Sequence, residues 1–112
     1  MKAILTAVAL LVLAVAVGVP AAAQGPTATT SKTKTVEIVD FAYRPATVEI
    51  DKGDRVVFSN TAPRAHTATR AGVFNTKRIK PGRSVGVRFG QRGTFPYHCK
   101  IHPSMHGRVI VD

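Results

Sequence analysis

The chain has 112 residues, with 16 Lys and Arg against 6 Asp and Glu, a formal charge of +10, one cysteine and no tryptophan. This length holds one domain and no more, and a single cysteine excludes an internal disulfide. The basic excess points to an acidic partner, an anionic surface or nucleic acid.

Residues 1–23 read as an export signal. Lys2 is a short basic start, Ile4 to Val17 is almost unbroken apolar sequence, Gly18 and Pro20 break a helix, and Ala21-Ala22-Ala23 is a small-residue cleavage site before Gln24. The apolar run is shorter than the roughly 20 residues of a bilayer span, which favours a cleaved signal peptide over an anchor. No cysteine stands at the site to carry a lipid, and no Arg-Arg pair marks a twin-arginine route. The expected location is therefore the periplasm or another extracytoplasmic space. Cleavage takes away 23 residues and one cation, leaving 89 residues and a formal charge of +9. Export argues against nucleic acid as a native ligand, and a membrane is met only if the apolar segment is retained. The scattered cations read mostly as a solvated surface.

Gln24 to Lys34, "QGPTATTSKTK", is polar and aperiodic, a flexible leader. From Thr35 to Asp112 the pattern is that of one all-β domain. Val36 and Ile38 flank Glu37; Val48 and Ile50 flank Glu49; Val56 and Phe58 share a face. Val85, Val87 and Phe89 alternate with polar or small residues, and Val109 and Val111 close the chain. Asp51-Lys52-Gly53-Asp54, Lys80-Pro81-Gly82 and Gly90-Gln91-Arg92-Gly93 are turns. Short strands with one apolar face each predict a β-sandwich or a small barrel.

The strand Thr94 to Cys99 carries the chemistry. Side chains alternate across a strand, so Phe95, Tyr97 and Cys99 face the interior and His98 faces away, while Pro96 suits an edge or bulge. The loop that follows contains His102 and Met105 and is turn-forming at Pro103, Ser104 and Gly107. A free thiol outside the cytoplasm tends to oxidise, so a lone exported cysteine is either an inert buried thiol or a metal ligand. Three donors within seven residues favour the metal. The fourth ligand must come from elsewhere, and the only histidine elsewhere is His66, in the loop after a strand from Arg55 to Asn60. One thiolate, two imidazoles and one thioether match the blue-copper pattern. Zinc also takes Cys and His, but its structural sites seldom recruit methionine. Calcium and magnesium need clustered oxygen ligands, and a Cys-x-x-Cys-His motif for attached haem is absent. A cysteine hydrolase is disfavoured, because His98 points away from Cys99 and the chain has little room for a substrate cleft.

The stretch Gly93-Thr94-Phe95-Pro96-Tyr97-His98-Cys99-Lys100-Ile101-His102-Pro103-Ser104-Met105, with a closing strand from Gly107 to Asp112, resembles the cupredoxins, the type 1 blue copper proteins. The Cys-x2-His-x2-Met spacing is similar to the short-loop plastocyanin and amicyanin group. The upstream stretch Phe41 to Ile50, then Gly53-Asp54 and a strand ending at Asn60, adds to the likeness. The resemblance implies an eight-stranded Greek-key β-sandwich with one copper ion at one end. His66, Cys99 and His102 would be its strong ligands and Met105 the weak axial one. It implies an electron carrier rather than an enzyme, with no catalytic residues, cycling between Cu(I) and Cu(II). A copper carrier or buffer without a redox circuit is the alternative. His98 and His106 stay outside the ligand set.

Relatives commonly have proline before the first histidine ligand and asparagine after it, where this chain has Ala65 and Thr67. The Thr67 hydroxyl is expected to take over part of the asparagine's role in tying the two ligand loops. His102 is expected at the solvent edge, with Ile101, Pro103 and Ala65 around it and a basic rim of Lys100, Arg64 and Arg108. The partners expected are redox proteins with acidic docking surfaces, met by a monomer.

Overall fold

The structure is a computed structural model and describes residues 30–112. The expected export segment, 1–23, and residues 24–29 of the leader lie outside the described residues. Nine strands follow in order: β1 (Thr33–Val39), β2 (Ala42–Arg44), β3 (Thr47–Ile50), β4 (Arg55–Asn60), β5 (Thr69–Arg70), β6 (Phe74–Asn75), β7 (Ser84–Arg88), β8 (Gly93–His98) and β9 (His106–Val111). The described residues contain no helix. One sheet has the order β2-β1-β4-β7 and the other β3-β9-β8-β5-β6. The chain passes back and forth between them, so β1 lies parallel to β4 and β3 parallel to β9.

The period-two pattern decides which side chains the sheets bury. Val36 and Ile38 of β1, Val48 and Ile50 of β3, Val56 and Phe58 of β4, and Val109 and Val111 of β9 are all buried. Glu37 and Glu49 between them are exposed, as is Arg108 next to Val109. Aromatic rings fill the middle in edge-on and stacked pairs, with Tyr97 at 4.7 Å from Tyr43 and 5.4 Å from Phe58, and Phe74 at 5.9 Å from Phe58 and 5.3 Å from Phe89. Each such ring contributes on the order of 1.5–3 kcal/mol by leaving water.

The sandwich expected from alternation is present, with nine strands instead of eight. β5 and β6 have two residues each and β2 has three, too short to display a period. β1 starts at Thr33 and takes in the last two residues of the polar leader. Thr33, Lys34 and Thr35 are exposed yet pair with Arg55, Val56 and Val57, because ladder hydrogen bonds do not require apolar side chains. Gly107 is not a turn residue. It lies in β9 opposite Tyr97, where a Cβ would fall 2.3 Å from the tyrosine ring.

Candidate metal centre

Two loops and one turn build the site. The first loop leaves β4 at Asn60, a fully buried side chain with every polar atom engaged. Its Nδ2 donates to the carbonyls of Arg64 and Ile79, both at 2.8 Å, and its Oδ1 accepts from the Ala62 N–H at 2.8 Å. This clamp shapes residues 61–65 and delivers His66 into a two-bond bridge with Ile79, with Ile79 N–H donating to the His66 carbonyl at 2.7 Å and His66 N–H to the Ile79 carbonyl at 3.2 Å. His66 is completely buried.

The second loop follows β8. Alternation continues one residue past the strand, so Cys99 is buried beyond Tyr97. The chain then folds back, with Met105 N–H donating to the His102 carbonyl at 2.9 Å and Cys99 N–H to the Met105 carbonyl at 3.3 Å. Met105 is buried and His102 half-buried.

These loops bring three donor atoms together. Cys99 Sγ lies 3.9 Å from His66 Nδ1 and 3.8 Å from His102 Nδ1, and the two nitrogens are 3.1 Å apart. One ligand atom from each of His66, Cys99 and His102 falls within 4.8 Å of the others, a group that could hold a metal ion. A metal with bonds of about 2.0–2.1 Å to nitrogen and about 2.3 Å to sulfur, spread by about 120°, sets nitrogen and sulfur about 3.8 Å apart. The observed separations match that triangle, with a narrower angle between the nitrogens. Met105 completes a ligand-like set on the same loop. His98 is half-buried and His106 exposed, and they pair with each other across β8 and β9, outside the cluster.

Thr67 makes three bonds, two to the second loop and one to Tyr43 of β2. Its N–H donates to Cys99 Sγ at 3.3 Å, its hydroxyl accepts from the Lys100 N–H at 2.9 Å, and its carbonyl accepts from the Tyr43 hydroxyl at 2.5 Å. The hydroxyl thus makes the loop-to-loop tie expected of it. A hydrogen bond to the cysteine sulfur is one of the levers that sets the potential of such a centre.

Two residues of the β1–β2 turn also reach the site, and sequence reasoning missed both. Asp40 Oδ1 accepts from His66 Nε2 at 2.9 Å, and Asp40 Oδ2 accepts from Arg64 Nη1 at 2.6 Å. The bond from His66 foremost, opposed by desolvation and helped by the nearby Arg64 charge, holds the Asp40 carboxyl below the usual aspartate range. Phe41, at φ 91°, is 53% exposed. Its ring meets His102 edge-on at 5.1 Å and His66 at 6.2 Å, and the Arg64 guanidinium lies 5.6 Å from its centre. The available signal was the break in β1 alternation at Asp40-Phe41, one of only six acids in a basic chain.

The rim differs in part from expectation. Lys100 is exposed, but Arg64 spends its guanidinium on Asp40. Arg108 lines a different hollow with Thr47, Thr94 and Pro96. Lys77 and Arg78 instead join Lys100 and Ile101 around a cleft of about 490 Å³ that reaches Thr67.

The cupredoxin-like domain family matches residues 6–111. The chain belongs to the cupredoxin-like family. Amicyanin of Paracoccus denitrificans is 29% identical over 83 residues, covering 69% of this chain and 63% of that protein. Amicyanin-alpha of Methylorubrum extorquens is 28% identical, covering 69% of this chain and 70% of that one. A solved oxidised amicyanin variant superposes with a TM-score of 0.67 at 27% identity, over 71% of this chain and 82% of that chain. A purple cupredoxin from Nitrosopumilus maritimus shares the fold at 22% identity and a TM-score of 0.66, over 70% of this chain and 99% of that one. The chain thus spans less than two thirds of the Paracoccus protein's length and most of the solved cupredoxin domains, and its two sheets are those of the cupredoxin fold.

Proposed function

We propose that the protein is an exported blue copper protein that carries single electrons between redox partners. The observation that carries this reading is the convergence of His66 Nδ1, Cys99 Sγ and His102 Nδ1 at spacings that suit one metal ion. His66, Cys99 and His102 would be the strong copper ligands and Met105 the weak axial one. Bound copper supplies the one-electron couple between Cu(I) and Cu(II).

The chain's own part is to hold one arrangement for both oxidation states. Asn60 fixes the His66 loop, Thr67 ties it to Lys100, and the bonds among Cys99, His102 and Met105 close the second loop. A site fixed in this way has little to rearrange when its charge changes, so electron exchange is fast. His102 is the half-buried ligand and touches the exposed ring of Phe41, which makes this edge the exit for electrons. The exposed Phe41 ring and the chain neighbours of His102, Ile101 and Pro103, offer apolar surface there, and Lys77, Arg78 and Lys100 line the cleft that Ile101 borders. Such a rim steers an acidic partner to a monomeric carrier.

Cyclic voltammetry of the copper-loaded protein with a copper chelator present tests this reading. The expected result is a reversible one-electron wave with copper retained. Ready loss of copper to the chelator, without a stable wave, would instead identify a copper carrier or buffer.

A further inference from the structure

We propose that Asp40 is a positioning residue for the metal centre: by holding the ring hydrogen of His66 on Nε2 it leaves the Nδ1 lone pair free for the metal, and its charge favours the oxidised form. The inference rests on the copper reading above and deepens it.

An ionised aspartate only accepts hydrogen bonds. Asp40 Oδ1 is 2.9 Å from His66 Nε2, so that nitrogen carries the ring hydrogen. The lone pair then belongs to Nδ1, the atom that faces Cys99 Sγ and His102 Nδ1. His66 is completely buried, so the other tautomer would set the Nε2 lone pair against the Asp40 carboxylate and place the Nδ1 hydrogen at the metal position. A metal-binding histidine whose second nitrogen donates to a carboxylate is a better electron donor, and such partners typically change metal affinity by about 10–100-fold.

Charge gives the second effect. Asp40 is bonded to Arg64 through its other oxygen, but the Arg64 side chain is 58% exposed and that of Asp40 is 23% exposed. Water screens the arginine more than the carboxylate, and the carboxylate is the group in contact with the imidazole. The centre therefore sees a net negative neighbour. A thiolate with Cu(II) leaves one positive charge, and with Cu(I) none, so a negative neighbour stabilises Cu(II) more.

Three variants of the full chain separate these effects. Asp40→Asn keeps an acceptor for the Nε2 hydrogen and removes the charge. Asp40→Ala removes both. Arg64→Ala breaks the ion pair but leaves the bond to His66. In the metal-free proteins, nitrogen NMR of His66 should show a single Nε2–H tautomer in the parent, in Asp40→Asn and in Arg64→Ala, and a tautomer mixture in Asp40→Ala. In the copper-loaded proteins, Asp40→Asn should bind Cu(II) at least about tenfold more weakly with Cu(I) binding unchanged, which equals a rise in potential of about 59 mV for one electron. Asp40→Ala should show a larger loss. Unchanged tautomer and unchanged potential in both Asp40 variants would overturn the proposal. So would an Arg64→Ala protein with the same loss as Asp40→Ala, because Asp40 would then act only as a brace for the turn. If the parent itself fails to form a blue centre, the copper reading falls, while the NMR comparison still decides whether Asp40 orients His66.

Discussion

Thr67 shows how much one side chain does at this site. Its N–H addresses the cysteine sulfur, its hydroxyl holds Lys100 and its carbonyl holds Tyr43. Replacing it with valine keeps the shape and the N–H bond to sulfur but leaves the part-buried Lys100 N–H without its acceptor. Urea unfolding should register a loss of about 1–3 kcal/mol, while the colour of a copper-loaded sample persists. The convergence of Cys99, His102 and His66 was legible in the sequence because such donors are rare in this chain and two of them sit at close spacing with Met105. Asp40 and Phe41 were not. They meet His66 and His102 only because β1 and β4 run side by side and end together, and no spacing along the chain records a contact between residues 40 and 66.

Among the elements, β8 and β9 carry the site's most exacting fit. β8 was readable from alternation alone, since Tyr97 and Cys99 share its buried face. The reason for Gly107 was not, because it lies in a facing strand: the Tyr97 ring occupies the space of the missing side chain. Gly107→Ala should therefore cost about 1–3 kcal/mol through overpacking, measured by thermal or chemical unfolding, and should shift the loop between Cys99 and Met105. The turn before β4 makes a pH prediction. Asp54 accepts from the Lys32 N–H at 2.9 Å and from the Asp51 N–H at 3.0 Å, and these bonds, against desolvation, hold its pKa below 3.8. A carboxyl depressed on folding adds stability above its unfolded pKa, near 3.8, and that stability is lost as pH falls through the lower folded value. Asp54→Asn should lower stability at neutral pH and remove part of the decline below about pH 4, as followed by unfolding midpoints against pH.

At the scale of the whole molecule, a sandwich core holds the metal centre at one end. The core type was legible because a half-buried sheet writes its face into the sequence every second residue. The strand count was not, because β5 and β6 have two residues each, β5 joining β8 at one position and β6 pairing only with β5. The charge of the rim was legible only in part: Lys100 stands where expected, Arg64 pairs with Asp40, and Lys77 and Arg78 came to the site through the segment between His66 and β7. Charge reversal at Lys77 and Lys100 together should slow electron transfer to an acidic redox protein at low salt by about tenfold or more, and high salt should remove the difference. The central claim is that the Cys99 thiolate and two imidazoles hold one copper ion, and the visible spectrum after addition of Cu(II) tests it most directly. An intense thiolate-to-copper charge-transfer band is expected, one that Cys99→Ser abolishes and Met105→Leu preserves; a colourless protein that retains zinc but not copper would contradict the claim.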